Sequence, residues 1–356
     1  METEIVPNAT PYPVRTAADW CRIGRLSTLD RLKLALRDWR LARRHGGAKA
    51  PSLRHVAGSG APPADGEIVL LCVMRNAMGY LPSLLAHYRA LGIQRFAFVD
   101  DRSQDGTGAY LAAQDDVDLY TSPLTFRQSD GGLEWRDELA DLYGRDRWYL
   151  SIDSDEYLVF PGCEERSVHA FVADLERRGA KRALAAMIDL YPDGPIGGGG
   201  GETAAFTAPT QVCPLYDGSG YTIADDKLCT GIRGGPRLRR FGASMRLTKF
   251  PLLFVDARTR FASGSHHAPL PLGRNFAPVR AVLLHFKFPK GAVAQFQEIA
   301  ADGTHFGGSL FYRQIVDHAE FGEDTDFRFA GSERFAGSEA FVRQGFIEDI
   351  RGPARP

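Results

Sequence analysis

The sequence predicts an α/β fold in which a mostly parallel sheet is flanked by helices. Three observations carry this. Apolar runs of strand length alternate with helical-period segments between residues 67 and 190. The apolar runs are continuous rather than alternating, as strands covered on both faces require. The connections between them are short, which favours right-handed strand–helix–strand crossovers.

The first strand is predicted over residues 68–74 (IVLLCVM) and ends at Arg75 and Asn76. A helix over 80–91 follows, with Leu81, Leu84, Leu85, Tyr88 and Leu91 on one side. Gly92 closes it in the manner of a C′ glycine. Further strands are expected at 95–99, 117–120, 148–152 and 183–190, and helices at 106–113, 133–143 and 167–178. Beyond Leu190 the pattern breaks. Residues 191–236 contain Pro192, Pro195 and a glycine run over 197–201, and read as an irregular insert. Strands at 252–255 and 279–286 and helices at 290–301, 308–319 and 338–343 predict a helical C-terminal part, weakly patterned after 320.

Ahead of the α/β pattern, residues 1–24 look irregular and 27–45 look helical. Ser27 or Thr28 can cap that helix, and Leu29, Leu32, Leu36 and Trp39 recur at helical spacing. Arg31, Lys33, Arg37, Arg40, Arg43 and Arg44 decorate it against Asp30 and Asp38. Such a helix either lies on an anionic membrane surface or packs on the domain with a solvated basic face. Residues 46–66, rich in Gly, Ala and Pro, read as a linker. The expected organisation is therefore an N-terminal extension (1–66), an α/β half (67–190), a second half (191–320) and a tail (321–356).

Composition narrows the class. A chain of 356 residues with 44% hydrophobic and 24% charged residues is globular. A net charge of −1 speaks against nucleic acid as a partner. The five cysteines are scattered without zinc-ligand spacing, so free thiols in a reducing compartment are expected. The N-terminus lacks the order of a signal peptide, and no apolar run reaches the roughly 18–20 residues that span a bilayer. The expectation is a cytoplasmic protein, with peripheral contact at the inner membrane face left open. No G-x-x-x-x-G-K-[ST] loop is present, against P-loop chemistry.

Chemistry concentrates at three strand ends: Arg75-Asn76, the run from Asp100 to Thr107 (DDRSQDGT), and Asp153-Ser154-Asp155-Glu156. In an open α/β sheet, ligands bind outside the carboxyl ends of strands, so these residues converge on one crevice. The crowded acids of the third stretch are costly to desolvate together, and a hard cation such as Mg²⁺ or Mn²⁺ would offset that cost. Taken alone, the third stretch reads equally as a solvated acidic turn, and the second as a turn with a helix cap.

Together the motifs resemble a known family. Asn76, then YLPSLLAHYRALGIQRFAFVDDRSQDGTGAYL, then RWYLSIDSDEYLV, are similar to family 2-type bacterial glycosyltransferases of the GT-A fold. The resemblance is good over 67–190 and looser afterwards; Ala77 departs from the acid that many relatives carry there. It implies a Rossmann-like domain that binds a nucleotide sugar, a UDP-sugar first, and a glycan or lipid-linked acceptor. Asp101, with Asp100, matches the acid that contacts base or ribose, and Arg75 and Asn76 would border the base. Asp153 and Asp155 match the D-x-D that holds Mn²⁺ or Mg²⁺ on the diphosphate. Arg136 either reaches a phosphate or is a surface arginine. His285 and His267 are candidates for a further metal ligand, and Lys287 and Lys249 can offset phosphate charge. An inverting reaction needs a base, for which Asp189 is favoured by its strand end; Glu156, Asp225 and Asp226 are the other acids considered. The insert, at 194–236, would then be an acceptor loop or lid. A nucleotidyltransferase or phosphotransferase, and a non-catalytic glycan-binding protein on the same fold, are the other readings.

Overall fold

A computed structural model describes residues 9–45, 50–197, 208–262, 268–303 and 306–352. In chain order its strands are β1 (Thr10–Tyr12), β2 (Arg54–Ala57), β3 (Val69–Met74), β4 (Arg95–Asp100) and β5 (Val117–Thr121). They continue with β6 (Arg147–Ile152), β7 (Glu156–Val159), β8 (Arg182–Tyr191), β9 (Leu215–Asp217) and β10 (Tyr221–Asp225). The last are β11 (Thr230–Arg233), β12 (Thr248–Val255), β13 (Val279–His285) and β14 (Ser332–Arg334). An 11-stranded sheet runs in the order β14-β9-β8-β12-β6-β3-β4-β5-β2, with β13 on β8 and β7 on β13. A 3-stranded sheet, β1-β10-β11, stands apart from it.

The continuous apolar runs are strands covered on both faces, as expected. Leu70, Cys72 and Met74 of β3 face one core with Leu81, Leu84 and Leu85 of the Leu81–Ala90 helix. Val69, Leu71 and Val73 face the other, with Trp135, Leu139 and Ala140 of the Leu133–Tyr143 helix. Both sets are at or near full burial, and together they make a helix–sheet–helix layering.

Strands β5-β4-β3-β6 are parallel neighbours, which is the predicted half of the sheet. Beyond β6 the sheet turns mixed: β12 runs antiparallel between β6 and β8. A late strand thus inserts between two early ones, and the division placed at residue 190 falls inside one continuous sheet. Sequence order cannot show such an insertion, because β12 reads as an ordinary apolar strand wherever it lies.

Four further stretches differ from expectation. The supposed linker contributes β2, which pairs with β5 at the sheet edge. The supposedly irregular N-terminus contributes β1, paired with β10. The insert is ordered over 208–241, holding β9, β10, β11 and the Gly235–Phe241 helix; its glycine run over 198–201 lies outside the described residues. The weakly patterned tail is core. Phe341, Phe346, Ile347 and Ile350 are buried, and Phe346 packs edge-on to Tyr12 at 5.4 Å. Tyr12 donates its hydroxyl to the Phe346 carbonyl at 2.6 Å, and Val14 N–H donates to the Gly345 carbonyl at 2.9 Å. Gly345 has φ +80°, and a Cβ there would lie 1.8 Å from the Val14 carbonyl oxygen, so only glycine fits. Short segments missed from sequence became strands because a distant partner supplied the ladder.

Phe346→Ala is expected to cost about 3–5 kcal/mol, since it opens a cavity where β1 meets the C-terminal segment. A denaturant titration followed by circular dichroism measures this; a loss below roughly 1 kcal/mol would mean the tail is not part of the cooperative core.

Candidate functional site

Register builds the centre of the site. In the β13–β7 ladder His285 lies opposite Glu156, and in the β13–β8 ladder His285 lies opposite Asp189. Directly opposite residues send their side chains to the same face, so three ionisable groups meet. The turn from β6 to β7 adds Asp153 and Asp155. Glu156 N–H donates to the Asp153 carbonyl at 3.2 Å, and Asp153 N–H donates to Glu156 Oε2 at 3.0 Å. Phe286 N–H donates to the Asp155 carbonyl at 3.0 Å, tying the turn to the end of β13.

Each acid is matched by a cation from another element. Asp153 Oδ1 accepts from Arg136 Nη2 at 2.8 Å, and its Oδ2 lies 2.5 Å from Lys249 Nζ on β12. Lys249 also pairs with Glu156. Lys287 Nζ lies 3.1 Å from Asp155 Oδ2 and above the Tyr312 ring. Arg237 grips Asp189 with two hydrogen bonds, Nε to Oδ2 at 2.7 Å and Nη2 to Oδ1 at 2.9 Å. His285 bridges the two halves, Nδ1 at 2.5 Å from Asp189 Oδ1 and Nε2 at 3.4 Å from Asp155 Oδ2. Among the described residues, Asp153, Asp155, Glu156 and Asp189 thus face Arg136, Lys249, Lys287 and Arg237. The repulsion that pointed to a metal ion from sequence is offset by side chains of the chain itself.

Burial and charge set the protonation states in opposite directions. Burial pushes the Asp155 carboxyl up, but Lys287, His285 and Lys249 outweigh it and hold it well below the usual range. Asp189 is likewise lowered: burial opposes, and Arg237 and His285 prevail. Glu156 is raised, first by burial and then by Asp153, with Lys249 opposing. Burial alone would discharge His285, yet Asp155 and Asp189 raise it above its ordinary value.

The other strand ends serve partly as structure. Ser103 Oγ accepts the Asn76 N–H at 2.8 Å, and Asn76 Oδ1 accepts the Gln104 N–H at 2.9 Å. Thr107 Oγ1 accepts from Ala77 N–H and Asp105 Oδ2 from Met78 N–H, both at 2.9 Å. Asp100 Oδ1 accepts the Ser103 N–H at 3.0 Å. The Asp/Ser/Asp/Thr pattern therefore staples the loop after β4 to the loop after β3. Asp101 is raised by burial, against the opposing charge of Arg102 at 3.0 Å. Arg75 reaches outward, 3.8 Å from Asp302.

Arg136 is buried rather than a surface arginine; its Nε donates to Ser151 Oγ at 3.0 Å. Asp189 and Glu156 are both fully buried and ion-paired, so neither faces solvent as a free base. Asp225 and Asp226 stand elsewhere, on Thr230 and Arg246. His267 lies outside the described residues. Arg237 lies in the insert that the sequence predicts as irregular, and the helix-start signal Gly235-Pro236 is the local pattern that points to its helix. For a divalent ion, Asp155, Glu156 and His285 can bring one ligand atom each within 4.8 Å of one another. Two carboxylates and an imidazole suit Mn²⁺, so the residues fit such an ion, with Glu156 rather than Asp153 in the set.

A scan against protein-family models gives no match, and no curated protein matches the sequence. Among solved structures, the mannosyltransferase Ktr4p from S. cerevisiae is similar at 11% identity, covering 47% of this chain and 51% of that one, with a TM-score of 0.20. The match spans about half the length of that protein, and a likeness this slight carries no weight for fold or function. No helix among the described residues is long and apolar enough to cross a membrane.

Arg237→Met is expected to cost about 3–5 kcal/mol, because it strips a buried carboxylate of its strongest partner; thermal and denaturant unfolding measure it. The pH dependence has a definite sign. Asp155 and Asp189, lowered on folding, contribute stability above about pH 3.9 that is lost as pH falls through their folded values. His285, raised on folding, contributes fully below about pH 6.5 and loses that contribution as pH rises through its folded value. His285→Gln is therefore expected to flatten the alkaline limb of thermal midpoint against pH, recorded in chelator.

Proposed function

We propose that this chain is a glycosyltransferase that takes its sugar from a nucleotide-sugar donor. The observation that carries the reading is the meeting of the β6–β7 turn with His285, Lys249 and Lys287 at one edge of the sheet, near the loops after β3 and β4. Carboxyl ends of parallel strands are where open α/β sheets bind nucleotides. A nucleoside diphosphate would place its charge against Lys249, Lys287 and Arg136, and its base or ribose against Asp101 and Arg75. Asp155 and His285, with Glu156, would hold Mn²⁺ or Mg²⁺. When bound, such an ion supplies Lewis-acid stabilisation of the departing diphosphate.

The chain's own residues then divide the work. Asp189, fixed by Arg237, keeps the proton of His285 on Nδ1 and leaves Nε2 directed at Asp155, so Asp189 is a positioning residue. Glu156 positions the turn through Asp153 N–H and Lys249. An acceptor that is a glycan or a lipid-linked sugar, and inversion at the anomeric carbon, accord with the family resemblance. A second reading is the same transfer without metal, favoured by the cations already paired with every acid of the cluster.

The test is a donor-hydrolysis screen with UDP-, GDP-, CMP- and dTDP-sugars, with and without Mn²⁺. Release of the nucleoside diphosphate (the monophosphate from a CMP-sugar) is expected, and Asp155→Ala should lower the rate roughly 10²-fold or more. Turnover that survives excess chelator would select the metal-free reading. Release of pyrophosphate from a nucleoside triphosphate supplied with a sugar 1-phosphate, in a parallel assay, would point to nucleotidyl transfer, and no turnover or binding with any donor would point to a non-catalytic protein.

A further inference from the structure

The Thr28–His45 helix has two apolar sides, and among the described residues one of them packs on the body. Leu34 is buried against Ala268, Leu270 and Leu272, with Leu26 and Leu41 beside it. Asp38 Oδ1 accepts the Leu272 N–H at 2.7 Å, and Arg37 donates to the Lys227 carbonyl at 3.2 Å. These contacts fix which side of the helix points away from the body. On that outer side Leu29, Leu32, Leu36 and Trp39 are exposed at 60, 64, 49 and 54%. Their spacing of three, four and three residues makes one stripe along the axis, about 15 Å long at 1.5 Å per residue.

The surroundings of the stripe are basic. Lys33, Arg40 and Arg44 follow its residues by one to five positions and lie on its flank, and Arg43 stacks on Trp39 at 4.8 Å. Of the two acids on the helix, Asp38 is turned inward to Leu272 N–H, and Asp30, in the first turn, accepts from the Ser27 hydroxyl and lies 3.8 Å from Lys33 Nζ. The outer face is thus an apolar strip with a cationic border.

We propose that this face docks on an anionic lipid bilayer, the helix lying in the plane of the interface. Leucine and tryptophan side chains gain by entering the headgroup–acyl boundary, while arginine and lysine stems reach back to lipid phosphates. Charge complementarity selects this occupant. A second copy of the helix would bring the same cations together, whereas an anionic leaflet attracts each of them. The proposal stands independently of the transfer reaction.

Sedimentation of the full chain with vesicles tests it. Binding is expected to vesicles of 70% phosphatidylcholine and 30% phosphatidylglycerol, weaker binding at high salt, and little to pure phosphatidylcholine. The double variant Leu32→Glu with Trp39→Glu should lose at least about tenfold in binding, and Arg40→Glu with Arg44→Glu should lose a similar amount. All four side chains are exposed, so unchanged circular dichroism and thermal midpoint are expected and confirm that the variants fold. Absence of binding to the anionic vesicles, or binding that the Leu32/Trp39 variant leaves unchanged, would overturn the proposal. So would a dimer in light scattering that this variant dissolves, since the face would then belong to a second copy.

Discussion

The arrangement depends on one constraint: four carboxylates drawn together at a sheet edge must each find a cation before they can be buried. Desolvating an unpaired charge costs several kcal/mol, more than most single contacts return. Strand β13 satisfies the constraint by running between β7 and β8, where His285 meets Glu156 on one side and Asp189 on the other. Lys249 arrives from β12, Lys287 from just beyond β13, Arg136 from a helix, and Arg237 from a short helix in the insert. The late half of the chain therefore completes electrostatically what the early half begins.

That dependence explains the mixed sheet. A purely parallel continuation from β6 to β8 would leave Asp153 and Glu156 without Lys249. Inserting β12 antiparallel between them brings a lysine to both acids. The same logic gives the insert a structural task. Its Gly235–Phe241 helix holds Arg237 against Asp189, and β9 extends the sheet to the C-terminal strand β14.

Much of the early half was legible. The helix predicted over 133–143 is observed as Leu133–Tyr143, and the strand ends at Met74, Asp100 and Ile152 lie where apolar runs give way to polar residues. These elements rest on local periodicity and on burial of both faces, which a sequence displays directly. The role of Asn76 and of the Asp/Ser/Asp/Thr pattern was legible only in part. Polar residues at a strand end point equally to ligand contact and to loop stapling, and the hydrogen bonds from Ser103, Asp105 and Thr107 show stapling. Arg136 could not be placed as buried from its helix alone, because its burial comes from β6 packing beneath it.

By itself the sequence determined the α/β character, the polar strand ends and the amphipathic Thr28–His45 helix, since each follows from residues near one another in the chain. Only the tertiary structure decided that β12 separates β6 from β8, that β1 joins the C-terminal segment through Tyr12 and Phe346, and that Asp189 is held by Arg237 and His285. Those outcomes turn on which distant strand or charge lowers the cost of burying a group. Residues such as Asp189 and Arg237 lie tens of positions apart in the chain, and no local pattern records their meeting.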